Sequence, residues 1–169
     1  MKILILAMAR TGSSSLQKMM TKEHGLDLVF EPMYDINYDL DSQINDNSIV
    51  KIILWRIPAG VVDEMKWWLE LCSKFDKVIL LSRKNLDDCA ESIAYLRHHR
   101  EINNFGGNME YVWKPTSNYN EIRIMVEEYY NKMVELSKIL NIAITYYEDI
   151  FDSNSPHRLR KSEIKKKLI

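Results

Sequence analysis

The sequence predicts an α/β domain of three layers, with a central, mostly parallel sheet flanked by helices. Two observations carry this. Short β-branched and Leu-rich runs alternate along the chain with longer stretches whose apolar residues recur at helical spacing. Glycines and prolines punctuate the boundaries, and strands alternating with helices imply right-handed βαβ units. A length of 169 residues suits one such domain, and 46% hydrophobic with 28% charged residues is a balance that buries a sizeable core.

Lys2 to Met8 is an apolar run ending at Arg10-Thr11-Gly12-Ser13-Ser14-Ser15, as in a buried strand feeding a tight turn. A helix follows, with Leu16, Met19 and Met20 on one face and Gly25 where a C-terminal cap belongs. Leu26 to Phe30 reads as a second strand stopped by Pro32, adjacent to the first as in a simple βαβ unit. Tyr34 to Asn47 is a polar, acidic loop, Ile49 to Trp55 a third strand, and Pro58-Ala59-Gly60 a break. Val61 to Phe75 reads as a helix and Val78 to Leu81 as a strand, and Leu86, Cys89, Ala90, Ile93 and Ala94 mark the buried stripe of another helix. Asn103 to Ser117 is a loop. From Asn118, with Glu121 a capping-box pair, Ile122, Val126, Tyr129, Met133, Leu136 and Leu140 keep helical spacing, and Ile142 to Tyr147 is the last strand. The expected domain is 1–151, followed by a polar, basic tail over 152–169.

With 23 Lys+Arg against 24 Asp+Glu the net charge is -1, so no global positive field favours nucleic acid or an anionic membrane, and any anion site is local. Cys72 and Cys89 have neither metal-ligand spacing nor the density of a disulfide scaffold, which fits a reducing compartment. The run Ile3 to Ala9 imitates a signal peptide but leads straight into a turn and helix, and no stretch reaches about 18 apolar residues. A cytoplasmic protein with no membrane or nucleic-acid partner is the expectation. Asp35, Asn37, Asp39 and Asp41 alternate as in a calcium loop, but Leu40 stands at the required glycine and Asp46 at the bidentate glutamate. No metal is expected.

A strand leading through a Gly/Ser turn into a helix aims backbone N–H groups at an anion above the helix N-terminus. Gly12 permits close approach, Ser13 to Ser15 add hydroxyls, and Arg10 adds a planar fork able to grip two oxygens. The bland alternative is a plain turn with a serine N-cap. The second glycine and lysine of G-x-x-x-x-G-K-[ST] are absent, as are the glycines of G-x-G-x-x-G and the cysteine a cysteine-dependent phosphatase uses as nucleophile.

At these residues the sequence resembles the sulfotransferases that use 3′-phosphoadenosine 5′-phosphosulfate (PAPS). Arg10-Thr11-Gly12-Ser13-Ser14 matches their loop of a basic residue, one intervening residue, Gly and Ser/Thr, with Arg as in the carbohydrate-directed branch. Val78 to Arg83 resembles their strand ending in Arg, and Ser92 the serine of the next helix; the nine-residue spacing and Lys84-Asn85-Leu86 are similar to the bacterial carbohydrate type. Phe30-Glu31-Pro32-Met33-Tyr34 looks like their Glu-Pro segment, and Tyr146 to Ile150 like their Tyr-Glu-Asp-Leu element. The resemblance implies a P-loop-like fold in which Arg10, Thr11, Gly12, Ser13, Ser14 and Ser15 hold the 5′-phosphosulfate while Arg83 and Ser92 clasp the 3′-phosphate. It also implies a basic segment nearer the C-terminus, for which Pro156 to Lys161 is the candidate.

Sulfuryl transfer needs positive charge on the leaving side and a base on the attacking side. Arg10 suits the first role and Lys51 is a second candidate, the alternative being an edge or strand-start lysine. Glu31, at a strand's C-terminal end, is the favoured base ahead of His24, His98 and His99. Trp113 is the better candidate for stacking on an acceptor, with Trp67-Trp68 read as helix core and rim. The expectation is a PAPS-dependent sulfotransferase acting on a hydroxyl or amine of a carbohydrate or small glycoconjugate, with 3′-phosphoadenosine 5′-phosphate (PAP) as product. An atypical P-loop nucleotide kinase and a catalytically silent nucleotide-binding or interaction module are the alternatives.

Overall fold

A computed structural model of the chain describes residues 1–30, 42, 44–103 and 118–151. Glu31, the acidic positions 35–41, Trp113, the segment 156–161 and the tail 152–169 lie outside the described residues. Five strands, β1 (Ile3–Ala7), β2 (Asp27–Phe30), β3 (Ser48–Ile53), β4 (Lys77–Ser82) and β5 (Ile144–Tyr146), form one all-parallel sheet in the order β2-β3-β1-β4-β5. The helices packed on this sheet include α1 (Ser13–His24), α2 (Glu64–Cys72), α3 (Leu86–Asn103), α4 (Tyr119–Leu140) and the single turn α5 (Tyr147–Ile150). The α/β architecture with a parallel sheet flanked by helices is the one expected.

The neighbour relation of the first two strands differs from the expectation, because β3 lies between β1 and β2. Burial explains the order. All six residues of β3 and all five of β1 are buried, so both need neighbours on each side, whereas β2 exposes Asp27 and Leu28 and suits an edge. One helix start and one cap also differ. α2 begins at Glu64 because Asp63 caps it, its carboxylate accepting from the Lys66 N–H at 3.0 Å, and Val62 stays in solvent. Asn118 precedes α4 without the expected side-chain cap.

Alternate residues of each strand face opposite layers. Leu4, Leu6, Val50, Ile52 and Leu80 pack with Trp68 and Leu71 of α2, Ala90 and Ile93 of α3, and Val126 and Met133 of α4. Ile3, Ile5, Ala7, Ile49, Ile53, Ile79 and Leu81 pack with Leu16 and Met20 of α1 and with Ile150 and Phe151. The chain leaves β1 toward β2 on one side and β4 toward β5 on the other. Right-handed crossovers then put the helices on opposite faces, and the carboxyl ends of β1 and β4 flank a topological switch point. Among the described residues, no helix is long and apolar enough to cross a membrane.

Candidate anion-binding site

The turn after β1 is held from below and from the side. The Met8 N–H donates to the Leu81 carbonyl at 2.9 Å and the Leu54 N–H to the Ala7 carbonyl at 2.8 Å, so the sheet ladder continues to the base of the turn. The Thr11 hydroxyl, fully buried, donates to the Met8 carbonyl at 2.7 Å, and the Cys89 thiol of α3 donates to the Ala9 carbonyl at 3.1 Å. Arg10 and Gly12 are both left-handed, with φ of 62° and 70°. For arginine that conformation costs about 1–2 kcal/mol.

Helix α1 starts at Ser13, and its first intrahelical bond runs from the Leu16 N–H to the Gly12 carbonyl at 3.0 Å. Gly12, standing at the N-cap, has no side chain to cap the turn, and the first turn carries no acidic residue. The N–H groups of Ser13, Ser14 and Ser15 therefore emerge at the positive end of the helix dipole, where an anion is the natural acceptor. Serine capping is thus not what shapes this turn.

Two segments read separately in the sequence meet here. Arg10 Nε donates to Ser92 Oγ at 2.9 Å, joining the turn to α3 across 82 positions. Ser92, off the apolar stripe of its helix as expected, faces this guanidinium. Arg83, just past β4, lays its guanidinium over the Tyr147 ring at 4.4 Å, and its Nε is buried without a hydrogen-bond partner. Both arginines act on the Cys89 thiol between them, pulling its pKa down, yet burial dominates and raises it from 9.0 to about 11. Asn85 precedes α3 beside this point, its side-chain Oδ1 accepting from the Asp87 N–H at 3.0 Å. Lys84 is tied to α5 through its N–H on Glu148 Oε2 at 2.9 Å and an ion pair with Asp149.

Lys51 is neither an edge nor a strand-start lysine. It is the fourth residue of the interior strand β3, paired in register with Ile5 and 2% exposed. Its Nζ donates to Ser14 Oγ at 3.0 Å. Removing an ammonium from water to this depth carries a penalty of several kcal/mol, so its placement needs a compensating gain. His24 ends α1 and is exposed, on the opposite end of that helix from the turn. Trp68 is fully buried and Trp67 stacks edge-on against it at 4.5 Å, as core and rim.

Gln17 and Phe151, which the sequence reading did not single out, complete the surroundings together with Tyr147 of the Tyr-Glu-Asp-Leu-like element. Gln17, fully buried, donates from Nε2 to the carbonyls of Val29 (2.7 Å) and Ile49 (2.9 Å), pinning α1 to β2 and β3. Its polarity inside the Leu16–Met20 stripe was the available signal. Tyr147 and Phe151 stack at 4.6 Å and lie against Gly12. Nothing local marks Phe151 as a ring that packs on a turn more than 130 residues earlier. The arrangement gathers Arg10, Arg83, Ser92, Lys51, Ser14 and the α1 N-terminus at the β1/β4 switch point, a donor set suited to phosphate or sulfate oxygens. No protein-family model, no curated protein and no solved structure matches this chain. Among the described residues, no three His, Cys, Asp or Glu side chains come together as a metal site would require.

Proposed function

We propose that this protein is a PAPS-dependent sulfotransferase with a P-loop-like fold, acting on a hydroxyl or amine of a carbohydrate or small glycoconjugate. The observation that carries the reading is the Arg10–Ser92 hydrogen bond, which unites the two segments resembling the family's phosphosulfate and 3′-phosphate anchors. In this reading Arg10, the amides of Gly12 to Ser15 and the Ser14 hydroxyl hold the 5′-phosphosulfate. Arg83 and Ser92 hold the 3′-phosphate, and the unpartnered Arg83 Nε is one donor for it.

The acceptor oxygen or nitrogen attacks sulfur in line, the bond from sulfur to the 5′-phosphate oxygen breaks, and PAP leaves. The acceptor's proton passes to Glu31. Charge accumulating on the bridging oxygen is met by Arg10 and by the α1 amides, which are fixed before the reaction and need no reorganisation. The test is transfer of labelled sulfate from PAPS to a panel of carbohydrate hydroxyls and amines. Turnover supports the reading. Binding of PAP without turnover would favour a silent nucleotide-binding module, and preference for ATP over PAPS a nucleotide kinase.

A further inference from the structure

Helix α1 reaches down to β3 twice within one turn. Gln17 donates to the Ile49 carbonyl, and three residues earlier Ser14 accepts from Lys51, two residues further along the same strand. The Gln17 contact, with Leu16 and Met20, packs the helix on the sheet. The second contact puts a lysine where the neighbouring positions on that face of β3 are Ile49 and Ile53, both buried, and where another aliphatic side chain would complete the layer. It is directed at the first turn of α1, whose N–H groups have no intrahelical carbonyl to meet.

Hydrogen-bond direction gives this pair a consequence. A lysine ammonium only donates, so Ser14 Oγ accepts, and the hydroxyl proton of Ser14 must go to some other acceptor. The first turn of α1 holds no carboxylate to receive it. We propose, resting on the reading of the turn as a phosphosulfate site, that Lys51 is a positioning residue: by donating to Ser14 Oγ it fixes that rotamer and turns the hydroxyl proton onto the bound anion. Lys51 acts through Ser14 and does not itself reach the reacting atoms.

The experiment is a double-mutant cycle in anion affinity, measured calorimetrically with PAP and with inorganic pyrophosphate on the full chain. Ser14→Ala is expected to weaken binding about tenfold or more, the scale of one hydrogen bond to a charged group. Lys51→Met keeps length and suits the apolar layer, and is expected to weaken it similarly. The double variant should lose little beyond either single one, because the two groups form one path. Ser14→Thr, which keeps a hydroxyl, should recover most of the affinity. Losses that multiply in the double variant overturn the proposal and leave the donor reading standing. Coupling seen with pyrophosphate in a protein that ignores PAP supports the proposal and overturns the donor reading. A wild-type chain that binds neither overturns both. If Lys51→Met does not fold, Ser14→Ala with unchanged affinity still overturns the proposal, and its loss with rescue by Ser14→Thr supports it.

Discussion

Gly12 and Phe151 approach so closely that a Cβ on the glycine would lie 2.6 Å from Phe151 Cε2 and 2.9 Å from Cζ, with Tyr147 Cε2 at 3.0 Å. The glycine is therefore required twice, for its φ of 70° and for the space its missing side chain leaves to the ring. Gly12→Ala combines a left-handed penalty of about 1–2 kcal/mol with overpacking of about 1–3 kcal/mol. We expect a loss of roughly 2–5 kcal/mol in denaturant unfolding, the sum of those two ranges. Adding Phe151→Leu should cost less in the Gly12→Ala background than in the wild type. Equal costs in both backgrounds would mean that the ring does not limit the turn.

The two arginines make separable predictions about the donor. PAP should raise the melting temperature by binding the folded state, and AMP, which lacks the 3′-phosphate, should raise it much less. Arg83→Ala should lose about 1.5–3 kcal/mol of PAP affinity and almost none toward AMP. Arg10→Ala should weaken binding of both and slow transfer together. Arg10→Lys should recover only part, since an ammonium cannot reproduce the guanidinium fork that also donates to Ser92. A fully active Arg10→Ala protein would remove the turn from the mechanism.

The buried thiols predict a pH dependence. Burial raises both Cys72 and Cys89 from 9.0 to about 11; at Cys89, Arg83 and Arg10 oppose the shift and Glu148 adds to it. Between these values the folded chain keeps protons that the unfolded chain has released. The thiols' contribution to stability is thus complete below pH 9 and lost as the pH rises toward 11. Cys89→Ala should flatten that part of the profile when unfolding midpoints of variant and wild type are compared across the window. Both native thiols should also stay silent to a thiol reagent near neutral pH, and rapid native labelling at Cys89 would contradict its burial.

What the sequence disclosed follows the range of the interactions involved. The strand of β1, the turn at Gly12 and the buried stripe of α3 were legible because periodicity and turn chemistry are local. The insertion of β3 between β1 and β2 was not, since which apolar run takes the interior depends on burial of the assembled sheet. The depth of Lys51 was hidden for a related reason: one lysine in a Val/Ile run reads equally as a site charge or as an edge lysine, and its burial beside Ser14 is set by the assembled sheet. Ser92 and Arg10 were each identified from a motif, but their hydrogen bond is a product of tertiary packing.

Glu31 carries the last prediction. It follows Phe30, the last residue of β2, and β2 runs parallel to β1 with β3 between them. In register Phe30 lies level with Lys51 and Ile5, so β2 ends two residues short of β1 and about 10 Å, two strand spacings, to the side of it, with the turn at Gly12 beyond the end of β1. A base must reach the acceptor and leave the donor's phosphates alone, and a gap of that size gives an acceptor hydroxyl room between the two. Glu31→Gln should accordingly keep PAP affinity nearly intact while the saturating transfer rate falls about 100-fold or more. Both quantities are to be measured on one preparation. A rate unchanged within about threefold, well short of the about 100-fold that general-base catalysis supplies, would end the assignment and turn attention to a histidine, because Lys51 is committed to Ser14. Joint loss of affinity and of cooperative unfolding would make Glu31 structural, and only a selective fall in rate fits a group that takes the acceptor's proton.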